Sequence, residues 1–178
     1  MDDEEARTRL LDTAEELFYA HGIQAVGMDR IRTGSGVPLK RLYRLFPAKE
    51  SLVTAYLERR DRRWLASLKE AAFRPADPRE RILAVFDWLA GWFSEPHFRG
   101  CAFLNAYGEL GPAAPQVVHT HKAGLRALLA ELTEDDPALT DHLLLLVEGA
   151  TVLAALDPGP EPAHRAREAA ALLLTARD

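Results

Sequence analysis

Between Val26 and Leu52 the chain concentrates side chains that can hold a polyanion. Lys40, Arg41, Tyr43 and Arg44 crowd one short segment, with Arg30 before it and Lys49 just after it. Arginine presents a planar fork of donors that matches phosphate, and also the paired acceptors O6 and N7 of guanine in the major groove. Tyr43 can give its hydroxyl to a phosphate. Leu39, at the front of the same segment, can meet a thymine methyl group. Lys40 suits phosphate. Lys49 stands at a helix start, where free N–H groups and the helix dipole already favour an anion. This is the chemistry of holding a duplex, not of breaking bonds. No Gly-rich phosphate loop, metal-ligand set or nucleophile motif is present. Glu109, Glu131 and Glu148 are scattered, and glutamates on helix faces are usually solvated. The chain therefore reads as a binding protein and not as an enzyme, with no cofactor expected.

Charge is distributed to match. The whole chain carries a net charge of −5, which on its own disfavours a nucleic-acid partner. From Gln24 to Arg63, however, ten Lys and Arg face four Asp and Glu, whereas from Trp64 onward ten basic residues face sixteen acids. One cationic region and one acidic remainder fit a single nucleic-acid-facing part. Part of the basic excess, Arg59, Arg60, Arg62 and Arg63, is expected to be a solvated helix face paired with Glu58 and Asp61.

Helical periodicity must position these side chains, since strand alternation is nearly absent. Leu10, Leu11, Ala14, Leu17 and Phe18 make the apolar stripe of a first helix that stops near His21-Gly22. A second, short helix spans about 28–33. Gly34-Ser35-Gly36 then reads as a tight turn. Val37 is held extended by the following proline, and Pro38 opens a third helix reaching about Leu45. Pro47 separates it from a long fourth helix over about 48–72. Two short helices joined by a tight turn, the second one cationic on its outer side, form a helix-turn-helix. The run Arg74-Pro75-Ala76-Asp77-Pro78 breaks the chain. Further helices are expected over about 78–94, 102–110, 113–133, 138–156 and 162–176, about nine in all, with short connections.

This pattern resembles the TetR family of bacterial transcription regulators. The resemblance is carried by Leu17-Phe18, Gly22, Asp29, Ile31, Gly36-Val37, Leu42-Tyr43, Phe46, Lys49-Glu50 and Leu52, within the N-terminal quarter of the chain. Beyond it the match is one of helix number and length. The segment Arg99 to Asn105 is also similar to one found in many ligand-sensing domains of that family. The resemblance implies an all-α protein: a three-helix DNA-binding head over 1–47 and a helical-bundle sensing and dimerisation domain over 48–178. It implies a homodimer whose two heads, about 34–36 Å apart, bind a near-palindromic operator in double-stranded DNA. It also implies a small-molecule effector that releases the DNA, and repression as the default. The chain departs from the family at its helix starts. Gly27, Pro38 and Ala48 stand where Ser, Thr or Asn caps are usual, and a missing cap costs about 0.5–2 kcal/mol when Ala replaces it.

In the second part, effector pockets are mostly apolar with a few placed polar groups. Trp92, Phe93, Cys101, Phe103, Leu104, Asn105 and Tyr107 answer that description, with His121 and Glu148 as polar additions. The competing reading is a packed aromatic core, since aromatic residues at helical spacing also make one. Asn105 is expected to be a buried amide in need of partners. Cys101 reads better as a small buried hydrophobe than as a reactive thiol. His119 and His121 lie two apart on a helix and cannot face one ion together, so no metal site is expected.

The last two helices expose apolar and small residues suited to close approach. Leu143, Val147, Thr151, Ala155, Ala166, Ala170 and Leu173 are the candidates for a four-helix interface between two copies. The other possibility is that they complete the chain's own core. No apolar run is read as long enough for the about 18 residues that cross a bilayer. The N-terminus, MDDEEARTRLL, lacks a signal-peptide pattern, and the lone cysteine fits a reducing compartment. A cytoplasmic protein without a membrane partner is the expectation.

Overall fold

The structure, a computed structural model, describes residues 1–176. Among them are nine α-helices, one short 3-10 turn and no strand. The helices are α1 (Asp3–His21), α2 (Met28–Ser35), α3 (Leu39–Leu45), α4 (Lys49–Ala72), α5 (Pro78–Phe93), α6 (Ala102–Leu110), α7 (Val117–Leu132), α8 (Pro137–Leu156) and α9 (Glu161–Thr175), with the 3-10 turn at Gly111–Ala113. This is the all-α fold expected, and the helix limits follow the local signals. Asp2, Asp77 and Asp136 each accept a hydrogen bond from the backbone N–H three residues on, capping α1, α5 and α8. Gly27 and Pro38 give α2 and α3 no side-chain cap. At the start of α4, Ser51 supplies what Ala48 cannot: its hydroxyl accepts from the Ala48 N–H at 3.4 Å and donates to the Ala48 carbonyl at 2.6 Å.

The described chain divides into two compact units. One comprises Met1–Asp61 together with Ala102–Val118, the other Arg62–Cys101 together with the chain from His119 onward. The division falls within α4, and α6 belongs with the N-terminal helices.

In the first unit, Leu10, Ala14 and Phe18 of α1, Ile31 of α2, Leu42 of α3 and Leu52 and Tyr56 of α4 are buried together with Val26, Val37 and Phe46. The turn between α2 and α3 differs from expectation. Gly34 and Ser35 lie inside α2, and only Gly36 adopts the left-handed conformation, with φ of 66°. Gly34 is explained by packing: a Cβ there would come within 2.8 Å of the Thr13 methyl on α1. Arg59 and Arg60 also differ from the solvated face expected of them. Arg59 is only 11% exposed and pairs with Asp12 and Glu15 of α1, each at 2.7 Å. Arg60 pairs with Glu15 at 3.2 Å and stacks 4.0 Å over the Tyr19 ring. They bind α4 to α1 instead of facing water beside Glu58 and Asp61.

The second unit has its own core, built from α5, α7, α8, α9 and the later half of α4. Five ring systems from α4, α5 and the loop after α5 interlock in it. Trp64 meets Trp88 edge-on at 5.0 Å, and Trp92 meets Phe98 edge-on at 5.0 Å. Gly100 closes the loop with φ of 79°, and a Cβ there would fall 2.9 Å from the Ala155 Cβ. Alanine at this position meets both backbone strain and overpacking. Gly100→Ala is expected to lower stability by about 2 kcal/mol, read as a fall in Tm of roughly 4–8 °C for a chain of this size. Calorimetry checks it, and an unchanged Tm would contradict it.

One sequence expectation needs correcting here. α8 spans 20 residues, and an 18-residue window within it has a mean hydropathy of 1.6, long and apolar enough to cross a membrane by those measures alone. The polar Asp141, His142 and Glu148 interrupt the run to the eye without lowering the mean enough. Its inward residues Leu139, Leu143, Val147, Ala150 and Ala154 belong to the core of the second unit.

Candidate nucleic-acid interface

α3 is short because Pro38 begins it and the β-region backbone of Phe46 ends it. Leu42 is its only fully buried residue. Four positions turn outward: Leu39 is 46% exposed, Tyr43 is 45% exposed, and Lys40 and Arg44 are exposed. Arg41 is half-buried. Arg30 on α2 is exposed, while its neighbour Arg32 is engaged by Asp29 at 2.8 Å. The structure thus brings Leu39, Lys40, Arg41, Tyr43 and Arg44 onto one outward surface. Met1, Pro38, Lys40, Arg41 and Arg44 line a cleft of about 580 Å³ there. Lys49, the first residue of α4, is half-buried, and its ammonium lies 6.0 Å from the centre of the Phe18 ring. Its side chain leans across the end of α1.

Two of these cations already have partners inside the chain. Arg44 donates to an Asp3 carboxylate oxygen. Arg41 approaches the same oxygen at 3.7 Å through Nε, and donates through Nη1 to the Met1 carbonyl at 2.7 Å. Asp3 was not legible as a participant, because about forty residues separate it from α3 and an acid at a helix start already has an ordinary role in the helix dipole.

Glu109 is the second residue that sequence reasoning missed. It is not a solvated helix-face glutamate. Its two carboxylate oxygens accept from the backbone N–H of Ile23 at 3.0 Å and of Gln24 at 2.8 Å, in the loop between α1 and α2. The Gln24 side chain returns a bond to the Glu109 carbonyl. One carboxylate on α6 therefore fixes the loop that leads into the helix-turn-helix.

The nine candidate effector residues are distributed over both units. Trp92 and Phe93 are buried in the aromatic core of the second unit. His121 is buried there too, edge-on to Trp64 at 5.1 Å. Glu148 is half-buried, and its two carboxylate oxygens accept from the Lys122 ammonium at 2.6 and 2.8 Å. The same ammonium lies 3.6 Å from the Cys101 sulfur, which is buried. Lys122 had no signal of its own in the sequence. Phe103, Leu104, Asn105 and Tyr107 belong to α6 in the first unit. Phe103 is buried, but Asn105 is exposed, as are Leu104 and Tyr107. The expectation of a buried amide at 105 is corrected: α6 turns its small residues Ala102 and Ala106 inward and that position outward.

The expected subunit-interface residues need the same correction. Leu143, Val147, Thr151, Ala166 and Ala170 are buried within this chain, because α8 and α9 pack on each other and on α5 through their small-residue faces. Of the seven, only Ala155 is exposed, and Leu173 is half-buried. The large apolar residues left outside are Leu145, Val152, Leu153 and Leu156 on α8 and Leu172 on α9.

Comparison with known proteins agrees with this geometry. Residues 10–56 match the family model described as bacterial regulatory proteins, tetR family. A TetR-family transcriptional regulator from Streptomyces coelicolor superposes with a TM-score of 0.88 at 33% identity, covering 97% of this chain and 96% of that one. The transcriptional repressor ComR from Escherichia coli is 30% identical over 66% of this chain and 57% of its own length. The transcriptional activator FasR from Mycolicibacterium smegmatis is 29% identical over 86% of this chain and 70% of its own. With a helix-turn-helix whose outer face is cationic and a fold shared end to end with such a regulator, the chain belongs to the TetR family of DNA-binding transcriptional regulators and is not an enzyme.

Proposed function

We propose that this regulator is a cytoplasmic repressor that binds a near-palindromic operator as a homodimer and is released by a small apolar or aromatic effector. In this reading residues 1–47 are the DNA-binding head and 48–178 the sensing and dimerising part. The observation that carries it is the outward surface of α3, where Leu39, Lys40, Tyr43 and Arg44 leave only Leu42 to the core. Arg41 and Arg44 read guanine edges, Leu39 meets a thymine methyl group, and Arg30, Lys40, Tyr43 and Lys49 hold phosphates. The repressor ComR is one precedent for the sign of regulation and the activator FasR another. We favour repression because a dimer lying across a promoter excludes polymerase without needing a surface for it.

Footprinting on the DNA upstream of its own gene tests the proposal. A protected near-palindrome is expected, with affinity falling steeply as salt rises, since each neutralised phosphate releases counterions. Duplex DNA left unprotected at low ionic strength would overturn it. A second reading has an observation in its favour. Trp64, Trp88, Trp92, Phe93 and Phe98 are in mutual ring contact at 5.0–5.8 Å, so the aromatic cluster serves as core. On that reading the protein acts without a small-molecule effector, through a protein partner or through DNA alone. Aromatic and aliphatic compounds screened against the footprint separate the two.

A further inference from the structure

We propose that the acidic first turn of α1 is a built-in competitor for DNA. Asp3 holds Arg41 and Arg44 in the free protein, and the duplex binds by displacing that carboxylate. The inference rests on the assignment of α3 as the reading helix. Both arginines converge on one Asp3 oxygen, and the Met1 carbonyl takes a further Arg41 donor. Met1 lines the cleft beside α3 together with Pro38, Lys40, Arg41 and Arg44. The first residues of the chain therefore stand where a phosphate would otherwise approach.

The strength of the contact suits exchange. Asp3 and Arg44 are both more than half exposed, and exposed ion pairs contribute little to stability. A duplex, whose charge density also releases counterions when neutralised, outcompetes such a pair. The residue is not needed to start the helix, since Asp2 alone caps α1 by accepting from the Glu5 N–H at 2.8 Å. Asp3 is thus available for the arginines, and its cost falls on every DNA encounter that uses them.

The test is the affinity of the full chain for an arbitrary 25-base-pair duplex at low ionic strength, compared for wild type, Asp3→Asn and Glu4→Gln. Glu4 is exposed and stands next to Asp3 in the same turn, so Glu4→Gln removes the same unit of charge without touching either arginine contact. Asp3→Asn is expected to bind about three- to tenfold more tightly, and Glu4→Gln less than about twofold. The gain should shrink as salt rises, and should fall to the Glu4→Gln level when Arg41→Ala and Arg44→Ala are also present. An unchanged or weaker affinity for Asp3→Asn overturns the exchange, a weaker one meaning that Asp3 instead orients the arginines. Equal gains for Asp3→Asn and Glu4→Gln also overturn it, leaving net charge as the cause. If neither wild type nor Asp3→Asn binds any duplex, the assignment of α3 fails and the exchange fails with it.

Discussion

Arg44→Ala is expected to reduce operator affinity by roughly 30-fold to ten-thousandfold while leaving the fold intact. A bidentate contact to guanine discriminates by about 1–3 kcal/mol. The proposed dimer would make the contact twice, and each 1.4 kcal/mol is a factor of ten. Arg44 is exposed on α3, where it pairs with the exposed Asp3. Surface substitutions away from structural features usually stay within about 0.5 kcal/mol, so circular dichroism and Tm should match wild type. The comparison that gives the result meaning is an unrelated duplex. A base contact is lost mainly on the operator. A phosphate contact weakens both duplexes alike and lowers the salt slope by about one per contact. Full retention of operator affinity would remove Arg44 from the reading surface.

The cationic helix was legible because everything that makes it is local. Pro38, the Leu42 anchor and the outward Lys40, Tyr43 and Arg44 lie within seven residues, and period 3.6 fixes which of them face out. The nine helices were legible for the same reason, as caps, prolines, glycines and apolar stripes mark most of their ends. What sequence did not disclose was long-range. Asp3 reaches α3 across about forty positions, and Glu109 reaches the loop after α1 across about eighty-five. A lone acid carries no mark of which distant donor it will meet. Gly34 illustrates the same gap at short range. As a residue type it suggests a turn, but it serves an interhelical contact with Thr13. Periodicity also could not separate a helix's two apolar faces. Leu143, Val147 and Thr151 fill the chain's own core, while Leu145, Val152, Leu153 and Leu156, on the other side of the same helix, do not.

That second face supports the other large prediction. Leu145, Leu153 and Leu156 are 70%, 56% and 80% exposed, and Val152 lies beside them at successive turns of α8. Gly149, in the middle of the row, has open space where a Cβ would stand, which permits close approach of another backbone. An exposed apolar stripe of this length, on a helix whose other face fills the core, is where we place the proposed subunit contact. In a two-fold dimer the same stripe serves both copies, so any substitution enters the interface twice. Leu153→Arg with Leu156→Arg is therefore expected to give a monomer at micromolar concentration, measured by size exclusion with light scattering, with helicity unchanged. Operator affinity should fall at least a hundredfold, because linking two half-sites contributes about 10²–10⁴ in avidity. The added arginines raise the attraction to DNA, so a loss of binding cannot come from charge and must come from separated heads. A variant that stays dimeric would move the subunit contact away from this face of α8. A monomer that keeps full operator affinity would show that one head suffices.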